Sequence, residues 1–495
     1  MFTIKSLMFG PERTAQIKLR ETFVQNLNGT SKEEIIFLAP FPYLFIFISV
    51  FIKCWILRST KLNLCYINEL GQIKVSSVTN FLLEFLTIVV PLVLQLTLFA
   101  DAAFEGLLFT SLFTFFIIIF SVSSLNNNNY WRTPDFTSWF LCNTMPTNNT
   151  VCITYFRTFI FLLTSISILA VDFQIYPRRF AKAENYGVSL MDLGVGLYVM
   201  ASGVVSKEKF AIRKFKDNFF ESLPLLCFGV IRCVIMQQID YQKHITEYGT
   251  HWNFFITLGL VKMMANIILK LFNNHSLICA IVLLMIHEFL LTWSLEQYVM
   301  MDLPRDNLIK ANREGIVSLL GYLCIYIIGI STKRLIGNVD RKRGQSVKTK
   351  LHSMIVFSVV FSMLYLTLKF TEPIIKVSRR LANTPYILWT TTVCFEYLIL
   401  GLVLELAFLL FLPKSTTSSS CNVFNLLLPD LCKAINNNAL LFFLVSNLST
   451  GFINMYFDVL NFETWRSMLM LLLYMLFNCS VVYTLKLGNI KIKLY

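Results

Sequence analysis

The sequence predicts an all-α polytopic membrane protein with about 13 transmembrane helices and no soluble domain. Of its 495 residues, 56% are hydrophobic and only 15% charged, against about 45–50% and about 25% in soluble domains. The apolar residues fall in long unbroken runs, and a helix needs roughly 20 of them to cross a bilayer. The alternating strands of about ten residues that mark a membrane β-barrel do not appear. This composition excludes an ordinary cytosolic enzyme. The net charge of +14 would suggest nucleic acid for a soluble protein. Here most Lys and Arg lie between apolar runs, so the expected neighbours are membrane lipids and phosphorylated substrates, with no nucleic acid.

Taken in order, runs long enough to cross fall at 35–56, 80–99, 104–123, 153–173, 189–206, 220–239, 252–271, 276–296, 314–331, 351–370, 385–412, 438–458 and 466–486. The first 34 residues carry Lys5, Arg13, Lys18, Arg20 and Lys32 but no apolar stretch ending in a cleavage site. The first span is therefore the expected insertion signal. An odd number of spans puts the termini on opposite sides, and loop basicity sets the sense. The basic loops are 206–219, with Lys207, Lys209, Arg213, Lys214 and Lys216, and 332–350, with Lys333, Arg334, Arg341, Lys342, Arg343, Lys348 and Lys350. Four spans separate them, so they share a face, expected to be cytoplasmic. The resulting division is a luminal segment 1–34 bearing an Asn28-Gly29-Thr30 sequon, one membrane domain 35–486, and a cytoplasmic tail 487–495.

The loop 124–152 falls on the cytoplasmic face by parity, although Cys142 and Cys152 bracket an Asn148-Asn149-Thr150 sequon, a pairing more usual in an oxidising lumen. The Ser/Thr-rich stretch 415–420 reads as a linker. Cys227, Cys233, Cys279, Cys324 and Cys394 lie inside apolar runs and read as small core hydrophobes. No metal-binding spacing is present.

Polar residues that loops do not require gather on the luminal face. Asp172 is followed by YPRRFAKAENYGVSLMDLGVG (176–196), and later come EYGTHWNFF (247–255), NREGIVSLLGY (312–322) and SRRLANTPYILW (378–389). Charges driven to mid-bilayer cost about 2.5–3.5 kcal/mol each, so the expectation is a ring around a watery pocket. Asp172, Arg178, Arg179 and Lys182 lie on a segment that Pro177 forces to reverse. They read either as a carboxylate base beside cations or as a basic interfacial loop snorkelling to headgroups. Asp192 adds a second carboxylate inside an apolar run, and Gly194 and Gly196 beside it suit close backbone approach. His251, between Glu247 and Trp252, is a possible general base or a member of an aromatic belt. Asn253 stands with them. Asn312, Arg313 and Glu314 suit a hydroxyl-rich substrate or a capped helix start. Arg379 and Arg380 suit phosphate or headgroups. His287 and Glu288 form an intramembrane polar pair, structural or catalytic. Hydrolase elbows, nucleotide loops and zinc-protease motifs are missing.

These blocks together resemble the PIG-W family, the inositol acyltransferases of glycosylphosphatidylinositol (GPI) anchor biosynthesis. The match runs in order through YPRRFAKAENYGVSLMDLGVG, EYGTHWNFF, NREGIVSLLGY, SRRLANTPYILW and SNLSTGFIN (446–454). The resemblance implies an endoplasmic reticulum membrane enzyme of about thirteen spans. Such an enzyme moves a fatty acyl group, usually palmitoyl, from acyl-CoA to the inositol 2-hydroxyl of glucosaminyl-phosphatidylinositol. It implies Asp172 and Lys182 as the catalytic pair, and no cofactor beyond acyl-CoA as co-substrate. The remaining polar residues, Arg178, Arg179, Asp192, His251, Trp252, Asn253, Asn312, Arg313, Glu314, Arg379 and Arg380, become substrate-binding candidates. Two other classes fit the span count: a lipid transporter or flippase, which often carries inverted repeats, and a membrane-bound O-acyltransferase built on His287.

Overall fold

The computed structural model describes residues 23, 25, 27–59, 65–67, 73–75, 77–125, 150–206, 215–238, 245–272, 275–301, 303–343, 347–411 and 428–492. Thirteen helical rods stand among them, one over each apolar run. They are α1 (Pro40–Ser59), α2 (Ser77–Leu96), α3 (Ala103–Leu125), α4 (Thr150–Ala170), α5 (Leu190–Val204), α6 (Phe215–Gln238), α7 (Phe254–Leu271), α8 (Ser276–Met300), α9 (Arg313–Arg343), α10 (Val347–Thr371), α11 (Thr384–Phe411), α12 (Ala439–Tyr456) and α13 (Thr464–Leu487). Among the described residues, ten of them include stretches long and apolar enough to cross a membrane by length and composition. The protein is multi-pass. A two-stranded ribbon, Cys65–Ile67 against Ile73–Val75, is the β-sheet among the described residues.

The helix boundaries correct the expected layout in three places. A short helix, Lys32–Leu38, begins inside the segment expected to precede the membrane, capped by Ser31 accepting from the Glu34 amide. The basic stretch 332–350 is mostly helix, because α9 continues to Arg343 and α10 starts at Val347. Lys and Arg are good helix formers, so a basic tail extends a helix out of the bilayer without ending it. Finally, α5 has 15 residues, about 22 Å at 1.5 Å per residue, short of the ~30 Å hydrocarbon core. It lies in the interior of the bundle, where α4, α9 and α11 pack around it.

Those four helices form the core. Where α5 crosses α9, Gly203 and Gly329 face each other: a Cβ on Gly203 would sit 2.3 Å from the Tyr326 carbonyl oxygen, and one on Gly329 2.5 Å from that of Met200. The expected backbone contact at Gly194 and Gly196 is not found. Their neighbours are side chains, Thr164 and Thr390, so the close crossing at Gly203 lies about two turns further along α5. Cys279, Cys324 and Cys394 are buried as expected, whereas Cys227 is exposed and Cys233 donates to the His251 carbonyl. The outer faces of α8 and α10 expose Ile281, Phe289, Ile355, Met363 and Phe370, as lipid-facing helices do. Lys207 to Lys214, the Asn148 sequon, Cys142 and the 415–420 linker lie outside the described residues.

Candidate active site

All five polar blocks meet at one end of the bundle, where α4 and α12 end and α5, α7, α9 and α11 begin. The far end is marked by Lys333, which donates to the Ser206 carbonyl just past α5. The start of the second basic stretch thus lies beside the end of α5, opposite the polar blocks.

Asp172 follows α4 and accepts a hydrogen bond from Asn454 Nδ2 of the last block at 2.7 Å. Lys182 pairs with Glu247 at 2.7 Å. The two residues therefore share one reversing segment but do not form an ion pair with each other. Each is partly exposed, and each is positioned by a different part of the chain.

The arginines between them are committed to the protein. Arg178 donates from Nε, Nη1 and Nη2 to the carbonyls of Val171, Phe173 and Tyr176 at 2.9–3.2 Å. Its guanidinium also stacks 4.1 Å from the Phe23 ring. These carbonyls belong to the turn just past the end of α4, so Arg178 shapes the reversal. Burial brings its pKa down to about 10, opposed by Tyr176 and Asp172. Arg179 binds Glu34, Asp101 and the Ala100 carbonyl, tying the same segment to the starts of α1 and α3. Neither guanidinium has the open bidentate face expected of a phosphate grip.

Asp192 occupies the first turn of α5, where Ser189 caps the helix by accepting from the Asp192 amide. Its carboxylate takes Arg379 Nε at 2.6 Å, Ser189 Oγ at 2.7 Å and the Ala183 amide at 3.0 Å. The last contact fixes the backbone beside Lys182. Arg379 is buried, and burial works against its charge, but Asp192 and Glu247 outweigh that and hold its pKa well above the ordinary value. Arg380 reaches Glu314, Asn185 and the Val299 carbonyl.

Glu314 is fully buried among Arg305 (2.6 Å), Arg380 (3.0 Å) and Arg313 (3.5 Å). Arg313 also donates to the carbonyls of Met301 and Leu303. Asn312 accepts from the His251 amide and donates to the Leu308 carbonyl. Asn253 caps α7 and donates to the Gly229 carbonyl. Trp252 donates to Thr257 and lies flat over Gly315, where a Cβ would meet the ring at 2.5 Å. So Asn253, Asn312, Arg313, Glu314 and Arg380 form a polar frame around the site; the expected open ring narrows to the groups near Lys182. The side chain of His251 is on the exposed rim.

His287 and Glu288 do not pair. His287 Nε2 faces the carbonyls of Leu381 and Ala382 at 3.1 and 3.2 Å, which only accept, so Nε2 carries the proton. Glu288 accepts from the Thr384 amide at the start of α11. Both clamp the loop in which Ala382 takes a left-handed φ of 49°, a conformation costing an L-residue about 1–2 kcal/mol. Their work is to hold the Arg379–Arg380 loop.

Sequence reasoning missed Glu247, Tyr248 and Asn454 as site residues. Two are the first residues of the EYG block and the third closes SNLSTGFIN; only the fold carries them to Lys182 and Asp172. Among the described residues no three His, Cys, Asp or Glu side chains converge as a metal cage would require.

The GWT1 family model matches residues 16–485. The chain is similar to the glucosaminyl-phosphatidylinositol-acyltransferase PIGW of Bos taurus, with 31% identity over 97% of this chain and the whole of that protein. It is as similar to PIGW of Homo sapiens, with 31% identity over 95% and 98% of the two chains. It also resembles GPI-anchored wall transfer protein 1 of Candida albicans, with 36% identity over 65% and 71%. A match spanning nearly the entire sequence, with the polar blocks gathered at one end of the fold, means that the chain belongs to the GWT1 family.

Proposed function

We propose that this protein is a GPI-anchor inositol acyltransferase, moving a fatty acyl (palmitoyl) group from acyl-CoA to the inositol 2-hydroxyl of glucosaminyl-phosphatidylinositol. Acyltransfer to that lipid is what the PIGW relatives are named for. The observation that carries the reading is that Asp172 and Lys182 stand on one reversing segment, each part-exposed and each contacted by a polar side chain from another block.

The chemistry requires a base for an unactivated hydroxyl and a cation for the developing oxyanion. Asp172 takes the hydroxyl proton as that oxygen attacks the thioester carbonyl. Lys182 stabilises the oxyanion. The carbon–sulfur bond then breaks, the inositol ester forms, and the CoA thiolate is released and takes a proton from Lys182 or water. Acyl-CoA is the co-substrate, and no cofactor or metal takes part. The bundle holds the lipid tails.

The proposed setting is the endoplasmic reticulum membrane, crossed thirteen times, with the amino terminus luminal and the carboxyl terminus cytoplasmic. The contact of Lys333 with Ser206 supports this sense, since it puts Lys333 at the end of the bundle away from the site, and basic segments stay cytoplasmic. Asn28, exposed beside the Gly29–Val188 bridge, would then be open to glycosylation.

Incubating microsomes that contain the protein with glucosaminyl-phosphatidylinositol and labelled palmitoyl-CoA tests the reading. Label should appear in an inositol-acylated lipid; lipid crossing a vesicle wall with no label transferred would turn the assignment to a transporter.

A further inference from the structure

Two ion pairs, Lys182–Glu247 and Arg379–Asp192, stand side by side at the site end. They are joined through the Ala183 amide, which donates to Asp192, and by electrostatic contact between Arg379 and Glu247. Each positive charge is answered by a carboxylate, so the group of four is neutral overall. Tyr248 lies against it, within electrostatic reach of Glu247 and Arg379.

Two donors in this group are unused. The hydroxyl of Tyr248 and Nη1 of Arg379 are buried and have no hydrogen-bond partner among the described residues. Tyr248 is 9% exposed and Arg379 5%. A buried polar group without a partner costs about 1–3 kcal/mol, and such groups call for a functional explanation. Arg379 is already oriented by Asp192, and Tyr248 is fixed between the Lys182 partner Glu247 and the Gly249 turn, where φ is +105°. Both residues are thus held within electrostatic reach of Glu247, the partner of Lys182.

We propose that Tyr248 and Arg379 Nη1 form the subsite that holds the hydroxylated ring of the acceptor lipid, and so set which hydroxyl faces the reactive pair. This deepens the function proposed above and rests on it. The charge balance selects the ligand class. A phosphate-rich donor such as CoA calls for surplus positive charge, whereas Glu247 and Asp192 cancel Lys182 and Arg379. A ring of hydroxyls, each able to donate and accept, suits a neutral set of mixed donors and acceptors. Tyr248 and Arg379 are positioning residues; bond-making belongs to Asp172 and Lys182.

The test is Tyr248→Phe in the membrane-embedded full chain. Glucosaminyl-phosphatidylinositol is varied at saturating palmitoyl-CoA, and then the reverse. Losing one hydrogen bond to a neutral hydroxyl predicts a rise of about 3–10-fold in KM for the acceptor lipid. KM for palmitoyl-CoA should stay within about twofold, and the melting temperature should not fall, because the deleted hydroxyl bonds to nothing among the described residues. A silent substitution overturns the subsite, as does an equal rise in both KM values. The wild-type arm separates the two readings: no label in the lipid without any substitution sinks the acyltransferase assignment itself, whereas normal wild-type turnover with a silent Tyr248→Phe sinks the subsite alone.

Discussion

Asn454, near the end of α12, donates a hydrogen bond at 2.7 Å to Asp172, just past the end of α4. The two residues are 282 positions apart in the chain. The contact orients the carboxylate from a helix remote in sequence. Behind Asn454 on the same helix face, Thr450 and Ser446 bond to Tyr474 and Ser165, so the donor stands on a rigid polar stripe between α4, α12 and α13.

That geometry gives the first prediction. A base needed only as the hydroxyl attacks affects turnover far more than binding, and general-base contributions are typically ~10²–10⁴-fold. Asp172→Asn should cut kcat by about two orders of magnitude or more, with normal abundance in the membrane. Near-normal turnover in single-turnover acylation assays would move the base elsewhere, and His251 on the rim would be examined next.

Lys182 is expected to act in the same step. Lys182→Ala should reduce kcat about as strongly as Asp172→Asn, and the double variant should be little worse than either single one, as for groups serving one transition state. Lys182→Arg should recover only part of the rate, since a planar fork cannot reproduce the point charge set by Glu247. Multiplicative defects in the double variant would show that the two residues act independently.

For Arg178 the expectation is structural. Its guanidinium closes carbonyls of the turn that follows α4, and hydrogen bonds from charged donors contribute about 1.5–3 kcal/mol each. Arg178→Lys should lower the thermal midpoint of the detergent-solubilised protein while leaving KM for both substrates nearly unchanged in whatever fraction stays folded. A raised KM with unchanged stability would mean that the side chain serves a phosphate after all.

The Asp192–Arg379 pair is buried on both sides, and removing one partner from such a pair typically costs 3–5 kcal/mol. Asp192→Ala should therefore be strongly destabilising, measured by thermal unfolding in detergent. If Asp192→Ala melts like the parent, the pair is not what holds the Arg379 loop against α5.

A contrast between two glycines checks the core. Gly203→Leu places a side chain where the Tyr326 carbonyl already lies, and should prevent stable accumulation of the protein. Gly337, also helical, has nothing within 4 Å of an added Cβ; Gly337→Ala should be neutral or stabilising by up to about 1 kcal/mol. Equal behaviour of the two would contradict the α5–α9 crossing.

The sequence by itself determined the helical class, the site of nearly every helix and the segments that carry the chemistry. These depend on local properties: about 20 apolar residues per crossing, prolines and glycines at breaks, and polar blocks at helix mouths. Asp172, Lys182, Asp192 and Arg379 were legible because a charge beside an apolar run has few inexpensive explanations. Which partner each charge takes was not legible. Asp172 and Lys182 are ten positions apart, yet Asn454 and Glu247 hold them, from segments 282 and 65 positions away. The same holds for Arg178, Asn253 and Glu314, which read as substrate contacts and serve as helix-end and loop fasteners. An ionic or hydrogen-bond partner depends on how helices pack, and packing is fixed by side-chain shape across the whole bundle, such as the Gly203–Gly329 crossing, which no local pattern encodes.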